Sequence, residues 1–198
     1  MAIIDDYTSD AIVDDDTLAP SAFMAMADQI QANMKRKWVF NRYNAVNALG
    51  TKPTLGTAGT NTKIGTISFQ DGAVPVETFQ PEKVPDDFKE DGDIKLSIFL
   101  YSGTTNNDAV FSYSVIGVAE GESVDPAPAY VDNVITLPAS ANTLKVASYT
   151  ISAAVHGLSR GDLLYFTLKR IGTDALDNHA AAVLVMSCEI EYSVGEND

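Results

Sequence analysis

Asp93-Ile-Lys-Leu-Ser-Ile-Phe-Leu-Tyr101 is the stretch on which the fold turns. Ile94, Leu96, Ile98 and Leu100 recur at every second position. Successive side chains of a strand point to opposite faces, so this spacing predicts a strand with one buried face. Downstream, Ala109–Val118 places Phe111, Tyr113 and Val115 on one face in the same way. Val131–Leu137, Leu144–Ala153, Asp162–Arg170 and Ala181–Val194 continue the pattern. In the penultimate strand Leu164, Phe166 and Leu168 face one way, and in the last Leu184, Met186, Cys188, Ile190 and Tyr192 do. Upstream, Ile64–Gln70 is a first strand. Turn residues at Asp91-Gly92, Asn106-Asn107, Gly121, Pro138 and Gly172 separate the strands. Short one-faced strands split by turns predict a mainly β chain, an antiparallel β-sandwich or jelly roll over residues 64–198.

Further upstream the character changes. Residues 1–17 are polar and acidic and read as an extended arm. Leu18 to Lys37 is rich in helix formers, with Thr17 as a candidate N-cap and Pro20 in the first turn. Phe23, Met26, Ile30 and Met34 fall at helical spacing, and Lys35-Arg36-Lys37 suits a helix C-terminus. The reading is one α-helix over 18–37, followed by an aromatic anchor at Trp38, Phe40 and Tyr43 within a segment 18–44. Residues 45–63, rich in Gly and Thr, are expected to be a linker. The helix stripe needs a cover, so Phe23, Met26, Ile30, Met34, Trp38 and Phe40 are the candidate oligomer or attachment interface.

The chain has 198 residues and a formal charge of -14. Such a surface repels nucleic acid and anionic membranes, and neither is expected as a partner. The single cysteine, Cys188, allows no intrachain disulfide and reads as a small buried hydrophobe. The N-terminus lacks the pattern of a secretory signal, and no apolar run approaches the roughly 20 residues of a membrane span. A reducing, soluble compartment, or a particle assembled in one, is the expectation.

Signs of chemistry are sparse. His156, Ser159 and Asp162 share a loop but have no nucleophile elbow around them. Asp174, Asp177 and His179 form a short acidic cluster with one imidazole. The loop Pro85-Asp-Asp-Phe-Lys-Glu-Asp-Gly-Asp93 fails the helix-loop-helix calcium spacing, because Lys89 and Ile98 fall at ligand positions. Arg160-Gly161-Asp162 matches an adhesion tripeptide but opens a strand. Tyr101, Tyr130 and the loop 121–130 are candidates for a site on exposed loops. Neither a resident cofactor nor a metal is expected, and the chain reads as a non-enzyme.

Residues 146–193 carry a resemblance. Gly161-Asp162, the alternating Leu164-Tyr-Phe-Thr-Leu-Lys-Arg170, the Asp-rich loop 174–177 and a last strand ending Glu189-Ile-Glu-Tyr192 resemble the C-terminal β domain of small virion proteins of tailed bacteriophages. Leu18–Tyr43 is similar to their arm helices. The resemblance implies a capsid decoration (cement) subunit that braces neighbouring capsomers through its arm and helix. It further implies a homotrimer bound to a major capsid or other virion protein, in virions assembled in the host cytoplasm. It carries no catalytic residues. The alternative is a fibre module on tail or head that binds a receptor or carbohydrate.

Overall fold

The computed structural model describes residues 24–26, 29–30, 34–41, 45–47, 55–58, 64–72, 76–79, 81–104 and 107–195. Twelve strands are described: β1 (Lys35–Asn41), β2 (Ala45–Asn47), β3 (Leu55–Ala58), β4 (Ile64–Phe69), β5 (Val76–Phe79), β6 (Glu82–Lys83), β7 (Asp93–Ser102), β8 (Asp108–Val118), β9 (Val131–Thr136), β10 (Lys145–Ser152), β11 (Leu163–Arg170) and β12 (Val183–Ser193). They form two antiparallel sheets. Sheet I runs β10-β7-β12-β4-β3, with β1 also on β12, and sheet II runs β2-β5-β11-β8-β9, with β6 also on β11. The chain is thus mainly β, a sandwich of the jelly-roll type, as the alternation predicts.

The core lies between the sheets. Ile94, Leu96, Ile98 and Leu100 of β7 face inward, as do Phe111, Tyr113 and Val115 of β8 and Leu164, Phe166 and Leu168 of β11. Phe40, Phe79 and Phe166 link the two sheets, with ring centroids 5.1 Å apart for Phe40 and Phe166 and 5.0 Å for Phe79 and Phe166. Each such buried ring stabilises the fold by about 1.5–3 kcal/mol. Cys188 is fully buried among them, and burial pushes its thiol pKa up.

Three expectations change here. The first concerns the segment 18–44. Residues 24–26 and 29–30 are helical, but the helix expected through Lys37 gives way to β1 at Lys35. Lys35–Asn41 pairs with Ser193–Ser187 of β12. The Lys-Arg-Lys run does not close a helix; Lys35 reaches Glu191 at 3.2 Å and Lys37 reaches Glu189 at 2.8 Å across the strands. Trp38 and Phe40 alternate inward, and Trp38 stacks on Tyr192 at 4.2 Å between centroids. A ready strand partner and a core for two aromatics override a local helix preference. The second change falls in the linker 45–63, which contains β2 and β3, at the ends of the two sheets.

The third change is in β12. Its pairing with β7 shifts between Val185 and Ser187. Val183 and Val185 face the core before this bulge, and Cys188, Ile190 and Tyr192 after it. Leu184 and Met186, expected on the same face as Cys188, therefore point outward and are half-buried. One extra residue reverses the parity of everything that follows.

Candidate functional site

Two regions gather polar side chains, one inside an end of the sandwich and one on the outer face of sheet II. The inner one centres on Arg170, the last residue of β11. Even numbers in β11 face the core, so its guanidinium turns inward and is 0% exposed. Arg170 Nε donates to Asp177 Oδ2 at 2.9 Å and Nη2 to Asp177 Oδ1 at 2.7 Å. Nη1 donates to the carbonyl of Ala181 at 2.7 Å and Nη2 to that of His179. Asp177 also accepts the Val110 N–H at 2.9 Å and the His179 N–H at 3.3 Å. Burial alone would raise the Asp177 carboxyl, but the hydrogen bonds and charge of Arg170, with the two backbone donors, hold it below the usual carboxylate range.

His179 completes this knot and is buried. Its Nε2 lies 2.7 Å from Ser102 Oγ, which donates to the carbonyl of Ala182 at 3.2 Å. With that proton committed, Ser102 accepts from Nε2–H. Nδ1 is buried without a partner among the described residues. Burial lowers the His179 pKa, and the charge of Arg170 lowers it further against Asp177 and Asp71. The carboxylate of Asp177 is thus committed to an arginine and two amides, which leaves it nothing for a metal. Among the described residues no group of three or more His, Cys, Asp or Glu is placed to hold a metal ion.

The other sequence candidates separate. Gly117 on β8 lets the turn Ala154–His156 approach, because a Cβ there would lie 2.2 Å from the Gly157 oxygen. That approach sets His156 Nδ1 2.9 Å from the Val115 carbonyl. Asp162 instead accepts the Ser159 N–H at 2.9 Å, so no Ser-His-Asp relay is assembled from these three. In the acidic loop 85–93, Asp87 pairs with Arg36 at 3.0 Å and Glu90 accepts the Arg160 N–H at 2.7 Å. These contacts fasten the loop to β1 and to the β11 entry. Tyr101 is buried, which takes it out of any exposed site. Val124, at 76% exposure, marks the loop 121–130 as open to solvent.

The outer region lies on β8, β9 and β11. Since Phe111, Tyr113 and Val115 face the core, Ser112, Ser114 and Ile116 face outward, as do Leu163, Tyr165, Thr167 and Lys169 of β11. Ser112 pairs with Lys169 and Ser114 with Thr167 across β8 and β11, while Asp132 of β9 pairs with Ser112 from the other side. Ser112 donates to Asp132 Oδ1. Tyr130, just ahead of β9, places its ring 3.6 Å from Lys169 Nζ. The ring and the lysine meet above β8. Ser114 beneath them is 1% exposed, and its Oγ has no hydrogen-bond partner among the described residues. Tyr130 and Tyr165 are half-buried, and burial raises the Tyr130 pKa. Tyr130 was legible as a loop aromatic. Lys169 and the hydroxyl pair Ser114–Thr167 were not, because their common face depends on strand register.

The expected interface residues do not form one surface. Phe23 lies outside the described residues. Met26 is half-buried, Ile30 is 57% exposed and Met34 42% exposed. Trp38 and Phe40 sit in the chain's own core, so their apolar surface is already covered within one subunit.

No helix among the described residues is long and apolar enough to cross a membrane. The arrangement defines a β-sandwich of the jelly-roll class with a polar, aromatic-bearing outer face. Among solved structures, an isomalto-dextranase of Arthrobacter globiformis complexed with panose is similar at 19% identity, with a TM-score of 0.51 over 78% of this chain. This chain spans only 23% of that structure's length. A C-terminal CBM6 of the laminarinase LamC of Zobellia galactanivorans aligns at 9% identity and a TM-score of 0.46, over 78% of this chain and 98% of that module. A CBM22-1 xylan-binding domain of Paenibacillus barcinonensis Xyn10C aligns at 10% identity and 0.45, over 80% and 95%. No protein-family model and no curated protein sequence matches the chain. Of the resemblance to phage virion proteins, the β-sandwich is borne out.

Proposed function

We propose that the chain is a non-catalytic carbohydrate-binding module whose site is the outer face of sheet II. The observation that carries this reading is the set Tyr130, Lys169, Tyr165, Asp132 and Ser114 on one face of paired strands. Sugar rings present C–H faces to aromatic rings and hydroxyls to donors and acceptors. A few polar groups fixed on strands beside aromatics suit that chemistry. The isomalto-dextranase of similar fold, solved with panose, accords with a sugar-linked role. The test is retardation in gels containing soluble polysaccharides. At least one glycan is expected to slow the wild type and to leave Tyr130→Ala and Tyr165→Ala at reference mobility. Retardation unchanged in both variants would reject this face as the site.

A second reading keeps the subunit as a virion structural protein, with the carbohydrate module its alternative. The favouring observation is the exposed apolar series Met24, Ile30 and Met34 directly ahead of β1. In it, a homotrimer or a capsid partner covers these residues. Light scattering tests it, and the informative truncation removes residues 1–33 only. A full-length oligomer that becomes a folded monomer supports attachment through this segment. A monomer in both forms removes it. Cutting at residue 44 would delete β1 and its two core aromatics, so loss of assembly there would report unfolding.

A further inference from the structure

We infer that the outer face of sheet II takes an acidic glycan, with Lys169 pairing to the carboxylate of a uronate residue. This rests on the carbohydrate reading and adds the class of sugar. The first ground is the state of Lys169. Its ammonium lies over the Tyr130 ring, and among the described residues it makes no ion pair. A ring face attracts an ammonium without neutralising it. Lys35, Lys37 and Lys83, by contrast, each have a carboxylate within 3.3 Å. In a chain of net charge -14 an unneutralised cation on a sheet face is a fixed point for an anion.

The second ground is the balance of donors and acceptors. The Ser114 hydroxyl, buried under this face, has no hydrogen-bond partner among the described residues. Thr167 sits across from it, and the tyrosine hydroxyls of Tyr130 and Tyr165 add two more donors. Asp132, the acceptor of the row, already takes the Ser112 proton. The Lys169 ammonium can only donate and the hydroxyls can turn their protons outward, so the face can meet a carboxylate. A carboxylate supplies several acceptor lone pairs and a charge in one planar group, which a neutral sugar does not. Tyr130 acts as a positioning residue, because its ring holds the ammonium over β8, the strand next to the β9 edge.

The test is affinity electrophoresis of the full chain against three polymers. These are polygalacturonic acid, neutral dextran and dextran sulfate. Expected is retardation by polygalacturonic acid, weakened at least tenfold by Lys169→Met and by Tyr130→Ala. Lys145→Met, on β10 of the other sheet, should bind as the wild type does. Thermal melts of each variant confirm that the fold is kept. Retardation by neutral dextran alone, indifferent to Lys169→Met, would overturn the acidic-sugar inference and leave the carbohydrate reading standing. Equal retardation by dextran sulfate, reduced as much in Lys145→Met, would overturn it as plain charge attraction. No retardation by any of the three would overturn it too, and a wider panel of neutral glycans would then decide the broader reading.

Discussion

Lys169 and Arg170 are neighbours in sequence, carry the same charge, and end on opposite sides of one sheet. Arg170 turns inward, where its donors meet a carboxylate and three backbone carbonyls. Lys169 turns outward, over an aromatic ring, with no ion pair among the described residues. The bonds of Arg170 and Asp177 are spent inside the first region, although His179 Nδ1 beside them has no partner among the described residues. A polar group whose bonds are all made inside the chain holds the fold. One whose capacity is left over at the surface, like the Lys169 ammonium, has something to offer a ligand. The alternation of β11 alone makes the distinction, and a shift of one residue would exchange the two roles.

The largest expected effect breaks the inner region. Arg170→Ala leaves the Asp177 carboxylate buried without its cation and frees the carbonyls of Phe69, His179 and Ala181. Removing one partner of a buried pair costs about 3–5 kcal/mol. Urea unfolding should show that loss. A loss below about 1 kcal/mol, the range of an exposed pair, would mean that the guanidinium is not the anchor drawn here.

The next effect is pH-dependent and arises in the same region. His179 is neutral in the fold, with its pKa lowered by burial and by Arg170. In the unfolded chain it titrates near the ordinary value of about 6.5. A lowered folded pKa means that the unfolded state binds the extra proton. Stability is therefore full above about pH 6.5 and falls as the pH drops below it, by up to about 1.4 kcal/mol per unit. Asp177, also lowered, adds a second loss beginning only near the carboxylate range of about 4. Melting temperatures between pH 7.5 and 5 should fall for the wild type and flatten for His179→Gln. Parallel curves would exclude His179 as the source.

The strands from β7 to β12, with β4, were legible because each writes its own alternation, as Asp93–Tyr101 does. The strands β1, β2, β3, β5 and β6 were not. β1 holds Trp38 and Phe40 inside a run whose composition favours a helix, and only its pairing with Glu189–Ser193 explains the lysines. The bulge at Val185–Ser187 has no local signature, so Met186 was placed on the wrong face. The candidate site was less legible still. Ser112, Ser114, Thr167 and Lys169 are ordinary residues until β8 and β11 are put in register. Asp174, Asp177 and His179 read only as a short acidic cluster, because loop carboxylates and an imidazole at close spacing carry no mark of the arginine that claims one of them.

The smallest effect on stability sharpens the contrast. Lys169→Met removes a charge with no ion pair among the described residues and keeps a side chain of similar length over Tyr130. An exposed cation–π contact is worth about 0.5–1 kcal/mol, and the methionine sulfur recovers part of that against the ring. The urea midpoint should move by less than a tenth of what Arg170→Ala produces, while glycan retardation is lost. Lys169→Glu goes further in function but little further in stability, because it sets a like charge against both Asp132 and the bound carboxylate. If Lys169→Met instead destabilises the fold as Arg170→Ala does, the outer face is a structural element like the inner one. The distinction between spent and unspent bonds would then fail at the pair of residues where it is clearest.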